Sequence, residues 1–230
     1  MSPADRALVD DVRCALADVA DPTRAAAMQA YMKSAMPFRG ATKPLQVRAL
    51  RPVLAAHPPP DRGTWEATVL ALYDEAAFRE ERYAALALLA ARTARRWHDP
   101  DLVPLLEHLV VVGAWWDLVD DVAGHHVAPL HRAFPADLAP VVRRWAVADD
   151  LWLRRAAILS QLGSGRATDR DLLREVIAAN AASPEFFHRK AIGWALRDLA
   201  WKDPGWVRAY LAEQGDTLSP LSRREAAQHL

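Results

Sequence analysis

A chain of 230 residues, 52% apolar and 25% charged, is long enough to bury a sizeable core and too apolar to stay disordered. Its 29 lysines and arginines balance 29 acids, which weighs against a strongly basic nucleic-acid binder but leaves room for one basic face on a neutral body. The single cysteine, Cys14, excludes an intramolecular disulfide, and the longest apolar run, Leu109 to Trp116, falls far short of the roughly 18 residues of a membrane span.

Nearly every segment carries apolar residues at helical spacing in an Ala-, Leu-, Arg- and Glu-rich background, and strand-like alternation is nowhere sustained. Helices are predicted over 3–19, 22–36, 44–57, 64–76, 79–97, 101–111, 114–125, 136–147, 150–162, 169–180, 184–200, 203–214 and 219–229. Pro22, Pro44, Pro58 to Pro60, Pro100, Pro135, Pro184, Pro204 and Pro220 fall between these spans or in their first turns, where a missing amide costs nothing. Asp21, Thr64, Asp99, Ser183, Asp203 and Ser219 stand where N-caps are needed. Met1 to Arg6 lack a basic stretch followed by an apolar one, so no signal peptide is expected, and the lone cysteine suits a reducing cytosol.

An internal rhythm runs through the chain. Arg82, Arg155, Lys190 and Arg224 each precede small apolar residues, with spacings of 73, 35 and 34. The first is about twice the others, and a missing member falls near position 118. A period near 35 built of two helices implies stacked helical pairs, in which the second helices share one face. No linker interrupts the chain, which reads as one domain over 1–230.

Two stretches concentrate aromatic rings and permanent charge. In Trp115-Trp116-Asp117-Leu118-Val119-Asp120, Trp116 and Asp120 are four apart and share a helix face. Alone, each is ordinary: a core tryptophan and a surface acid. Together they suggest a carboxylate beside an aromatic wall. In Leu151-Trp152-Leu153-Arg154-Arg155, one of two adjacent cations must point inward. It then either binds a phosphate or makes a structural ion pair with a neighbouring acid such as Asp120. Trp194 and Arg197 share a face of the helix 184–200, and Tyr31 and Lys33 lead into the loop Met36-Pro37-Phe38-Arg39-Gly40. That loop either reaches over a groove or is an ordinary helix end with Gly40 as the stop. No zinc spacing, phosphate-binding glycine loop or nucleophile elbow occurs, and neighbouring His125 and His126 point too far apart for one metal. Neither a metal nor a cofactor is expected.

These segments, with Phe186-Phe187-His188-Arg189-Lys190 and Pro220-Leu221-Ser222-Arg223-Arg224, resemble the AlkD-type DNA alkylation-repair glycosylases over essentially the whole chain. The resemblance implies an all-α solenoid of HEAT-like helical pairs with a concave DNA-binding groove. It implies hydrolysis of the N-glycosidic bond of cationic N3- and N7-alkylated purines in duplex DNA, without base flipping. Asp120 then matches the catalytic aspartate, Trp116 and Trp194 the two groove tryptophans, and Arg155 the phosphate-binding arginine. Tyr31 and Arg197 match further groove residues, and Lys33, Arg39 and Lys190 are taken with them as DNA-binding. A cytoplasmic, nucleoid-associated monomer is expected. The rival expectations are a non-enzymatic relative that binds branched or distorted DNA, and a protein-interaction scaffold.

Overall fold

The computed structural model describes residues 2–230, and every regular element among them is helical. The chain divides into two compact units, Met1–His98 and Asp99–Leu230.

The first unit holds α1 (Arg6–Asp18), α2 (Pro22–Met32), α3 (Lys43–Ala56), α4 (Arg62–Asp74) and α5 (Arg79–Leu89), followed by a 3-10 turn over Arg92–Trp97. Leu8, Val9, Val12 and Leu16 form one stripe of α1 and bury against α3, α4 and α5. Trp65 of α4 is fully buried, and its indole N–H donates to the Leu88 carbonyl at 3.2 Å. Asp61, rather than Thr64, caps α4. Its carboxylate accepts from the Thr64 amide at 2.8 Å, because the helix starts two residues earlier than the sequence pattern indicates.

The second unit holds α6 (Val103–Gly113), α7 (Trp116–Val122), α8 (Ala128–Ala133), α9 (Pro135–Ala146), α10 (Leu151–Leu159), α11 (Arg170–Asn180), α12 (Phe186–Ala200), α13 (Pro204–Gln214) and α14 (Pro220–Ala226). It is a stack of helical pairs: α7, α10, α12 and α14 pack successively on one another, while α9 and α11 pack together as partners in the other layer. The helix expected over 114–125 does not stop there. It runs through a π-helical turn, Ala123–Val127, into α8. The wider turn accommodates Pro129, which has no amide to donate and whose ring crowds the preceding turn. Asp21, Asp203 and Ser219 cap as expected, and Asp99 caps a short 3-10 turn. Ser183 stands two residues before the α12 N-cap, and its hydroxyl meets His188 instead. No helix among the described residues is long and apolar enough to cross a membrane.

Candidate active site

The turn that presents the Trp-Trp-Asp segment is tight. Ala114 ends α6 in a left-handed conformation (φ 41°), and Trp115 is extended, so α7 begins abruptly at Trp116. Leu118, Val119 and Val122 anchor α7 in the core. That leaves Trp116 and, one turn on, Asp120 half-buried on the same face.

Asp120 meets Arg155 of α10. The arginine donates from Nε to one carboxylate oxygen at 2.7 Å and from Nη2 to the other at 2.8 Å. Its Nη1 donates to the backbone carbonyl of Phe187, on α12. Arg155 is 3% exposed, so one buried guanidinium ties three successive helices together. Burial pushes the Asp120 carboxyl above its usual range. The hydrogen bond and charge of Arg155 pull it back, and the nearby Asp117 adds to the rise.

An aromatic cluster adjoins this pair. Phe187 lies 4.9 Å from Trp152 and 5.6 Å from Trp115, centroid to centroid, and those two tryptophans are 5.9 Å apart. The Arg155 guanidinium carbon is 5.8 Å from the Phe187 ring centre. Phe186 stands on the Phe187 edge and is 58% exposed. The buried indole N–H of Trp115 has no hydrogen-bond partner among the described residues. The first turn of α12 is fixed by His188, whose Nε2 meets the Leu151 carbonyl at 2.9 Å and whose Nδ1 meets the Ser183 hydroxyl at 2.8 Å. Burial holds this imidazole below its usual range. Two helical turns past Phe187, α12 carries the half-buried Trp194.

The other expected cations of the second unit gather elsewhere. Lys190 Nζ lies 2.7 Å from Glu225 of α14, and Arg197 reaches the other oxygen of the same carboxylate at 3.2 Å. Arg197 also donates to Gln228. This clamp needs Gly193: a Cβ there would run into the Glu225 side chain and lie 2.8 Å from the Ser222 carbonyl. Asp120, Arg155, Lys190 and Glu225 stand 35 positions apart in turn, one per helix of the layer. The rhythm therefore ends at Glu225, which faces inward, and not at Arg224, which is exposed.

Three expected residues belong to the first unit. Tyr31 is 79% exposed near the end of α2. Lys33, not Gly40, is the helix stop, in a left-handed conformation (φ 49°), and its side chain is exposed. Arg39 turns inward: it pairs with the buried Glu81 at 3.0 Å and lies over the Phe78 ring at 4.0 Å. Its loop is pinned rather than free. The buried Glu80 carboxylate accepts from the amides of Arg39, Gly40 and Ala41 at 2.9, 2.9 and 3.2 Å. Gly40 is required because its positive φ (82°) brings the backbone against that of Asp21 and Ala25.

The structure thus brings Asp120 and Arg155 together directly, and Lys190 and Arg197 together through an acid. Phe187, Glu225 and His188 were not singled out from sequence as members of either cluster. For Glu225, the strict 35-residue step from Asp120 was the available signal. Among the described residues, no group of three His, Cys, Asp or Glu side chains is placed to hold a metal ion.

A family model described as DNA alkylation repair enzyme matches residues 12–230. A solved structure, a predicted DNA alkylation repair enzyme from Enterococcus faecalis, is 30% identical to the chain. The two superpose with a TM-score of 0.82, over 92% of this chain and 96% of that one. A search of curated proteins found no match.

Proposed function

The chain belongs to the DNA alkylation repair enzyme family, and on that premise we propose that it is a glycosylase that hydrolyses the N-glycosidic bond of N3- and N7-alkylated purines in duplex DNA. The observation that carries this reading is a half-buried carboxylate, Asp120, fixed at both oxygens by Arg155, whose guanidinium in turn meets Phe187 of an aromatic cluster.

A purine alkylated at N3 or N7 is already cationic and departs as a neutral base with the bonding electron pair, so no general acid is needed. Positive charge then develops on the sugar. Asp120 stabilises that oxocarbenium-like state and orients the water that adds to it. The faces of Trp116 and Trp194 favour a cationic neighbour by about 0.5–2 kcal/mol each. Arg155 acts as a positioning residue that holds the carboxylate still, and Tyr31, Lys33, Lys190 and Arg197 contribute to backbone binding. That Asp120, Trp116 and Trp194 stand half-buried on helix faces supports engagement of the lesion at its sugar and backbone without flipping. Both units serve one functional domain over 1–230.

One observation favours a second reading, DNA binding without chemistry: both Asp120 oxygens already accept from Arg155. Release of free base from a duplex carrying one N7-methylguanine, wild type beside Asp120→Asn, separates the two. Release by wild type alone supports the glycosylase. Binding without release by either protein supports the second reading.

A further inference from the structure

In the first unit, α3 is only shallowly embedded: across its length Gln46 and Leu50 alone are buried, and Val47 is 56% exposed. Between α3 and α5 this leaves an open cleft of about 160 Å³. Its walls are almost wholly apolar, from Val47, Leu50 and Leu54 on one side and Tyr83 and Ala87 on the other. Lys43 stands toward one end, with Nζ 6.0 Å from the Tyr83 ring centre, and Arg51 toward the other. Eight residues of helix separate the two cations, about 12 Å along the axis.

The charge around this cleft differs from that on α9 and α11 of the second unit. In the second unit Arg143, Arg144, Arg170 and Arg174 each find a carboxylate at 2.5–2.9 Å. On α3 there is no acidic residue at all, and Lys43, Arg48 and Arg51 have no ion-pair partner among the described residues. Three cations without a counter-charge thus share one thinly covered, acid-free helix beside an apolar slot. The complementary ligand is anionic at intervals, with a flat apolar part between the charges. The slot takes a single ring system, whereas an amphipathic helix needs pockets at successive turns.

We propose that the α3–α5 cleft is a second nucleic-acid site, which receives one unpaired base of a strand against Tyr83 while Lys43 and Arg51 hold the flanking phosphates. The proposal rests on the reading of the chain as a DNA enzyme, but it assigns these residues no part in the chemistry at Asp120. Stacking supplies affinity that any base can satisfy, and the cations supply the salt dependence.

The test compares binding of a short labelled oligothymidylate with that of an abasic strand of the same length. Wild type should prefer the strand with bases by about ten-fold. Val47→Asp places a carboxylate at the exposed mouth and should abolish the preference. Val47→Trp, which fills the slot without charge, should do the same if the acid perturbs the helix. Both variants should release 7-methylguanine from duplex at the wild-type rate. Lys43→Ala with Arg51→Ala should weaken both strands and flatten the salt slope by about 0.7 per phosphate lost. Equal binding of the two strands by wild type overturns the proposal, as does a preference that survives both Val47 variants. Displacement of the strand by an acidic amphipathic peptide that binds more tightly would give the cleft to a protein partner and overturn it too. If wild type shows the preference but releases no base, the cleft stands and the glycosylase reading falls.

Discussion

The Arg155 guanidinium holds Asp120 by both carboxylate oxygens, at 2.7 and 2.8 Å, and spends a third donor on the Phe187 carbonyl. An arginine so engaged and so buried is not displayed to solvent as a phosphate ligand. Its first effect is on the position and ionisation of the carboxylate, and each variant of the pair must be read for stability as well as for activity.

Asp120→Asn should lower base release by about 100-fold or more, the usual loss when a group that stabilises transition-state charge is removed. DNA affinity should change little. Single-turnover release of 7-methylguanine measures the first and fluorescence polarisation the second. Release at the wild-type rate would mean that another group stabilises the sugar cation.

Arg155→Ala leaves Asp120 half-buried without its partner and should destabilise the fold by about 3–5 kcal/mol. Arg155→Met with Asp120→Asn should recover much of that loss, since a neutral pair leaves no buried charge uncompensated. Urea unfolding of Arg155→Met, Asp120→Asn and the double variant gives the coupling energy directly. Additive losses would show that the pair contributes little to stability.

Base release should fall on acidification at a higher pH than an ordinary aspartate would produce, because burial raises the Asp120 pKa and, in the proposed mechanism, only the ionised form stabilises the sugar cation. The same shift has the opposite sign for stability. The contribution of Asp120 is greatest when it is protonated, and declines as pH rises from the unfolded value through the raised folded one. A pH–rate profile for a pre-formed cationic lesion checks the first statement. An acid limb in the ordinary carboxylate range would contradict it.

His188 and His131 are buried, and burial lowers the pKa of both. The unfolded chain therefore takes up protons first as pH falls below about 6.5, and stability is lost from there down to the lowered folded values. The Tm of wild type should decline over that window. His188→Gln should show a shallower decline; an unchanged slope would leave His188 without a part in it.

Gly193→Ala should cost about 1–3 kcal/mol, because the added methyl meets Glu225 and the Ser222 backbone and forces α12 and α14 apart. It should also loosen the Lys190–Glu225 pair. Thermal unfolding of this variant beside Gly205→Ala, whose Cβ would meet only the Asp203 carboxylate at 4.0 Å, isolates the effect.

The helices, most of their starts and the repeat period were legible in the sequence. Helical periodicity, proline placement and caps such as Asp21, Asp203 and Ser219 are local properties, settled within a few residues of chain. The co-location of Trp116 and Asp120 was legible for the same reason, since both lie on one helix. The π-turn over Ala123–Val127 was not. It depends on how Pro129 is accommodated in a packed helix, and no periodicity marks it.

Partner choice was decided only by the tertiary structure. Arg155 could have faced a phosphate or Asp120; Arg39 could have crossed a groove or met Glu81; Lys190 and Arg197 could have stood free instead of sharing Glu225. By itself the sequence determined which side chains share a helix face, because that follows from a fixed rise and rotation per residue. It did not determine which distant face each one meets. That depends on the rotation and spacing of packed helices, where a glycine such as Gly193 sets the approach and a buried charge must find its counter-charge at hydrogen-bonding distance.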